Sequence, residues 1–188
     1  MATGRDFEVR VKGLLERELN RRNLGLDPQM ARVHLHPSYP SQARGNSIVI
    51  DVALELYRRG ADQPYFIWVW ECKDYARRVP VDDVEEFHAK LEQIRVHKVK
   101  GTIASTHGFQ EGAVRLAESW GIGLARILPD GSIITLVEMA ALPTRRSVLY
   151  GLIEEDAEKL TTLFYGLATN GQPTTDVAQL VSWELKPE

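Results

Sequence analysis

Two long apolar stretches, SIVIDVALELY at 47–57 and YFIWVWECKDY at 65–75, are joined by RRGADQP. Nothing else in the chain restricts its fold as much. Each reads as a β-strand, and the polar, glycine-bearing link between them reads as the turn of an antiparallel hairpin. A turn centred on Ala61 places Ala53 opposite Val69, Glu55 opposite Ile67, Tyr57 opposite Tyr65 and Asp51 opposite Glu71. Side chains alternate faces along a strand, so Ile50, Val52, Leu54, Leu56, Phe66, Trp68, Trp70 and Cys72 share the core face. A slip of one residue would turn them all to water, which sets the register. The other face then carries Asp51, Glu71 and Lys73 together.

Opposed Cβ atoms across such a pair lie roughly 5 Å apart, where two carboxylates repel. A divalent cation between them removes the conflict, because hard cations such as Mg²⁺ select carboxylate oxygens. Lys73 follows Glu71 by one strand repeat, about 7 Å along, within reach of a water or phosphate beside such an ion. The plainer alternative is a charged strand end in which Lys73 neutralises both acids.

Around the hairpin the hydrophobic period changes in a definite order. Phe7, Val11, Leu14, Leu15 and Leu19 recur at helical spacing and predict a helix over about 5–23. ARVHLH at 31–36 alternates as a half-exposed strand, and HPSYPSQARGN reads as a loop. Val81, Val84, Phe87, Leu91 and Ile94 mark a helix entered through Pro80, with acids near its positive end. GTIAS is a short buried strand. FQEGAVRLAESWG is a helix with Gly121 placed as its C-cap, and GLARIL and SIITLVEM are strands around the turn PDG. A final helix is expected over 147–167. The order is α-β-β-β-α-β-α-β-β-α, an α/β sheet with helices on its faces.

Composition narrows the class. With 188 residues, 44% hydrophobic and 26% charged, the chain suits one soluble domain with an appendage. One cysteine, Cys72, rules out an internal disulfide and fits a reducing cytoplasm. The first helix has no apolar signal core, and no segment is long enough to span a membrane. A net charge of −3 runs against a dedicated non-specific nucleic-acid binder, so any nucleic-acid affinity has to come from a local patch. A small-molecule enzyme of this class would need a glycine-rich phosphate loop or a nucleophile motif, and neither is present. His34 and His36 read as alternating histidines on a solvent face, in preference to a metal pair. His88, His97 and Gln93 read as polar helix surface, and Cys72 as packing.

Asp51, followed on the next strand by Glu71-Cys72-Lys73, resembles the PD-(D/E)xK, or restriction-endonuclease-like, nucleases. Phe7-Glu8 in the opening helix resembles the FE pair of the Mrr-type and Holliday-junction-resolvase-like branch. The stretch VDDVEEFHAKLEQIRVHKVKGTIASTHGFQEGAVRLAESWGIGLARI is similar to the helix, strand, helix and strand that follow the motif there. The resemblance covers about residues 5–128. It implies a restriction-endonuclease-like αβββαβ core, a central mixed sheet flanked by helices, over 1–140, with a C-terminal helical extension over 141–188. It also implies a Mg²⁺-dependent endodeoxyribonuclease, with Mn²⁺ able to substitute and DNA as the partner. Asp51, Glu71 and the backbone carbonyl of Cys72 would hold the metal, and Glu8 would approach it from the first helix. Lys73 would orient or help deprotonate the attacking water and stabilise charge on the phosphate.

Two departures stand out: Ile50 replaces the proline of the family name, and RGNSIVID replaces a glycine-rich lead to the aspartate. Glu16 and Glu18 compete with Glu8 for its role. Arg77, Arg78, Arg95 and Lys98 are candidate phosphate contacts. Nucleases that cut both strands often pair, so a homodimer through the C-terminal helix is one expectation. The rival reading is a catalytically silent DNA-binding or assembly module of the same fold.

Overall fold

The computed structural model describes residues 4–41, 43–94, 98–129, 131, 133–136, 166–167 and 173–174. Helix α1 (Gly4–Asn20) forms where the helical spacing predicts it, burying Phe7, Val11, Leu14, Leu15 and Leu19 along one stripe. Strands β1 (Ala31–Leu35), β2 (Ser38–Pro40), β3 (Ser47–Val49), β4 (Val52–Tyr57) and β5 (Pro64–Lys73) follow. Then come helix α2 (Val81–Gln93), strand β6 (Lys98–Ser105), helix α3 (Glu111–Trp120) and strands β7 (Gly123–Ile127) and β8 (Ile133–Leu136). The main sheet is mixed, in the order β1-β4-β5-β6-β7-β8. Strands β5, β6 and β7 run parallel, and the outer pairings are antiparallel.

The α1 stripe covers one face of this sheet, against Val52, Leu54, Leu56, Phe66, Trp68 and Trp70. α2 and α3 cover the other, where Phe87, Val84, Ala113 and Ala117 meet Ala53, Ile67, Val69, Ile103 and Leu124. A sheet packed on both faces buries both side-chain sets of its central strands, so Glu55 is buried, and so is Glu71, which the plainer alternative left at a charged strand end. Gly121 ends α3 in the left-handed conformation, at φ 66°, its N–H bonded to the carbonyls of Ala117 and Glu118.

The central hairpin keeps the predicted register over most of its length. Ala53 faces Val69, Glu55 faces Ile67 and Val52 faces Trp70. It departs at both ends. The register shifts between Leu56 and Tyr57, so Tyr57 lies opposite Pro64 and not Tyr65. Proline has no N–H for the ladder, which suits this irregular position. At the other end the single strand expected over 47–57 is broken. Ile50 N–H bonds to the Pro37 carbonyl at 3.0 Å, and the Asp51 carbonyl accepts from His36 N–H at 2.9 Å. The chain therefore bends at Ile50–Asp51, and β3 pairs instead with β2, inside the stretch expected to be loop, as a small second sheet. Ile50 turns to the α2–α3 core, opposite to its predicted face.

Strand β6 starts at Lys98, three residues before the predicted GTIAS. Of the helix expected over 147–167, Gly166–Leu167 is extended and pairs with Pro173–Thr174 (β9 and β10). The rest lies outside the described residues, as do Arg95 and His97. Among the described residues no helix is long and apolar enough to cross a membrane.

Close approach of α2 to β6 depends on Gly101. A Cβ there would lie 2.5 Å from Leu91 Cδ1 and 2.7 Å from Phe87 Cε1. Gly101→Ala should therefore destabilise the fold by about 1–3 kcal/mol through overpacking, read as a lower urea midpoint at unchanged slope.

Candidate functional site

The site forms where β5 ends and the chain enters β4. Strand β5 is long enough to carry Glu71 and Lys73 past the last β4 pair, and both stay buried at 5% and 9% exposure. Parallel pairing sets Glu71 beside Ile103 and Lys73 beside Ser105. Asp51 sits at the bend before β4, unpaired with Glu71 in the ladder, contrary to the expected cross-strand pair. Its side chain reaches β5 instead: Oδ2 accepts the Cys72 N–H at 2.7 Å. Burial and the nearby Glu71 carboxylate push the Asp51 carboxyl up to about 6, with Glu8 adding to the rise. The Cys72 N–H and Lys90 pull the other way without cancelling it. Three acids expected together, Asp51, Glu71 and Glu8, are thus electrostatically coupled, although the strand geometry behind the expectation is different.

Two lysines meet Glu71. Lys90 Nζ lies 2.7 Å and Lys73 Nζ 3.4 Å from Oε1. Lys73 is also 2.9 Å from Asp83 Oδ1, which accepts a 3.0 Å bond from the Tyr75 hydroxyl. Burial pulls the Lys73 ammonium down, but the Asp83 hydrogen bond with the Glu71 and Asp83 charges outweighs it, so Lys73 is held above the ordinary lysine range. Lys90 shifts upward in the same way, its burial outweighed by Glu71 and Glu86. The second oxygen of Glu71, Oε2, is buried with no hydrogen-bond partner. Glu55, the other buried acid of the hairpin, differs. Tyr39 donates to Oε1 at 2.6 Å, Tyr57 bonds Oε2, and His34 Nε2 lies 3.3 Å from it. A buried carboxylate oxygen without a partner is costly, and of these two acids only Glu71 bears that cost.

Of the three glutamates on α1, Glu18 is taken by Asn23 at 2.6 Å and Glu16 by Lys12, which leaves Glu8 directed at the site. Glu8 Oε2 lies 2.6 Å from His36 Nε2. His36, expected on a solvent face, is thus a carboxylate partner at a left-handed backbone position, φ 51°. His34 is likewise engaged by Glu55. His88 stacks on Trp120 with ring centroids 4.2 Å apart. Gln93, expected at the surface, accepts the Ser41 hydroxyl at 3.2 Å. Cys72 lies among the α1-face residues as expected, its thiol raised well above the usual range by burial.

Lys90 and Asp83 were not singled out from the sequence. Their signal is spacing: seven residues on a helix return to nearly the same face, so Asp83 and Lys90 flank Phe87 above the strand end. Arg77 and Arg78 lie exposed in the loop after β5, four and five residues along the chain from Lys73. Lys98 lies opposite Phe66 at the far end of β6, about 20 Å down the strand from Ser105, so the structure does not bring it to the site.

Among the described residues no three His, Cys, Asp or Glu side chains are drawn into a ready metal cage. The donor set that fits a hard cation is smaller, two carboxylates plus a main-chain carbonyl, and the bare Glu71 Oε2 with the coupled Asp51 are what such an ion would satisfy.

No protein-family model and no curated protein matches this chain. Two solved structures are similar to it. One is a protein of unknown function, 18% identical with a TM-score of 0.42, the match covering 59% of this chain and 56% of that one. The other is a repair endonuclease from Pyrococcus abyssi, 18% identical with a TM-score of 0.38, covering 63% and 46%. The chain thus spans about half the length of each.

Proposed function

We propose that this chain is a divalent-metal-dependent nuclease that hydrolyses DNA phosphodiester bonds, built on the PD-(D/E)xK plan over residues 1–140. The observation that carries the reading is the coupled Asp51–Glu71 pair with a bare buried oxygen, set beside a lysine fixed as a cation. Asp51, Glu71 and the Cys72 carbonyl are the ligands for Mg²⁺. The Cys72 N–H points toward Asp51, and in an extended strand the carbonyl of the same residue leaves on the same edge. Bound Mg²⁺ supplies a water of lowered pKa and offsets charge on the phosphate.

The protein's own groups do the positioning. Lys73, held protonated by Asp83 and Glu71, donates to the phosphate or to the attacking water and stabilises developing negative charge. A raised pKa keeps Lys73 an ammonium, which supports the orienting and charge-stabilising part of the role that the family resemblance implies. Glu8 and His36 brace Asp51 from the α1 side, through the Glu8–His36 bond and the His36 N–H on the Asp51 carbonyl.

A second reading has one observation in its favour. Lys90 and Lys73 already neutralise Glu71, as in a silent binding module with a structural acid pair. Incubation with linear, nicked, branched and single-stranded DNA, in Mg²⁺, Mn²⁺ or chelator, separates the two. Cleavage of at least one substrate, abolished by chelator, is expected. Binding without cleavage across the panel would favour the silent module.

A further inference from the structure

Arg126 is, in the sequence, one polar residue in GLARIL, with nothing local to mark it. The ladder gives it a place. Lys73 pairs with Ser105, and Ser105 pairs with Arg126, so the three form one row across β5, β6 and β7. Directly paired residues of parallel strands face the same way. Two residues back along the strands, the same row logic joins Glu71, Ile103 and Leu124, and the last two lie in the α2–α3 core. Arg126 therefore leaves the sheet on the Lys73 side. With strands about 4.8 Å apart, its backbone is about 10 Å from that of Lys73.

Ser105 lies between them, and the segment after it folds back onto its hydroxyl. Ser105 is fully buried, its hydroxyl donating to the Gly108 carbonyl at 3.3 Å and accepting the His107 N–H at 3.2 Å. The Arg126 stem is half-buried, and Nε donates to the Thr106 carbonyl at 3.4 Å. That bond anchors the inner side of the guanidinium and leaves its outer N–H groups for another acceptor. Among the described residues no carboxylate pairs with it. A guanidinium fixed at one side and without a carboxylate is suited to a phosphate, which it binds through two parallel hydrogen bonds.

We propose that Arg126 binds a backbone phosphate of the DNA strand being cut, a short way from the scissile one, so that the strand crosses the sheet's carboxyl edge from β5 towards β7. The assignment rests on the nuclease reading. The row's span of about 10 Å is short enough for Lys73 and Arg126 to meet nearby phosphates of one strand.

The test is the affinity of Arg126→Gln, Arg126→Ala and Arg126→Lys for whichever DNA the wild type cuts, by anisotropy in chelator across a salt series. Steady-state kinetics in Mg²⁺ and melting temperatures accompany it. Arg126→Gln and Arg126→Ala should bind about tenfold more weakly. Their slope of log K against log salt should shrink by about 0.9 on duplex DNA. KM should rise while kcat stays near wild type, because a phosphate away from the reacting bond is held equally in ground and transition states. Arg126→Lys should restore the slope and part of the affinity. If Arg126→Gln keeps wild-type affinity and slope while the wild type cuts DNA, Arg126 is only a staple to the Thr106 loop. A lower melting temperature with no recovery of slope in Arg126→Lys also makes it a staple and overturns the assignment. If the wild type neither binds nor cuts any DNA, the nuclease reading fails, and this assignment with it.

Discussion

Lys73→Ala should slow DNA cleavage by about 100- to 1,000-fold, the usual loss when one fixed donor to a developing negative charge is removed. The size of the effect follows from how Lys73 is held. Its ammonium sits 2.9 Å from Asp83 and 3.4 Å from Glu71 on a side chain that is 10% exposed. Burial alone would favour the neutral amine, but these partners hold the charge in place well above neutral pH. The group is thus a preorganised cation that needs little rearrangement in the transition state. The loss should fall mainly on kcat, with substrate affinity changed far less. Some stability should go too, because Asp83 and Glu71 each lose a partner, so rates must be compared well below the variant's melting point. Lys90 cannot replace Lys73, since it approaches Glu71 from α2 and also engages Glu86 at 3.4 Å. Wild-type rates for Lys73→Ala on every substrate that the wild type cuts would refute the mechanism.

The second large effect is a gain in stability. Asp51→Asn should raise the stability of the metal-free protein by up to about 3 kcal/mol above pH 7. The figure is the rise of the Asp51 carboxyl from 3.8 to about 6, taken at about 1.4 kcal/mol per unit. The sign follows from proton binding. A carboxyl whose folded pKa is raised binds more protons folded than unfolded between the two values. It therefore costs stability fully above about 6, and the cost fades as pH falls towards 3.8. The wild-type-to-variant difference in melting temperature should be largest at pH 7–8 and nearly gone by about pH 4. Asparagine can still accept the Cys72 N–H through its carbonyl oxygen, so the hydrogen bond is kept while the charge is lost.

Mg²⁺ should then stabilise the wild type, by about 2.7 kcal/mol at a hundredfold excess over its dissociation constant, and leave Asp51→Asn unmoved. Cleavage should be lost in the same variant, the trade expected where function is built on a strained site. A structural acid pair predicts the reverse: a lower apo melting point for Asp51→Asn, and no Mg²⁺ shift in either protein. Melts of both proteins across pH, in chelator and in Mg²⁺, decide between the two.

The sequence by itself determined the elements whose cause is local. Apolar spacing defined α1, α2 and α3 to within a few residues, Gly121 ended α3, and the alternation of β4 and β5 fixed the middle of their register, because each rule acts over one or two turns or across one strand pair. It also singled out Glu8, Asp51, Glu71 and Lys73, which the fold gathers at one strand end. What only tertiary structure decided is how they meet. The bend at Ile50–Asp51 exists because those residues bond to His36 and Pro37 on another segment, and no local pattern in SIVID marks it. That bend turns Ile50 to the other core and converts the expected Asp51–Glu71 strand pair into a side chain bonded to the Cys72 N–H. The close approach of α2 to the sheet, which the absence of a side chain at Gly101 permits, brings Asp83 to Lys73 and Lys90 to Glu71. Arg126 joins the Lys73 row through two successive parallel pairings whose partners are 32 and 21 positions apart in the chain. Such pairings depend on how separate segments pack, and periodicity within one segment carries no record of it.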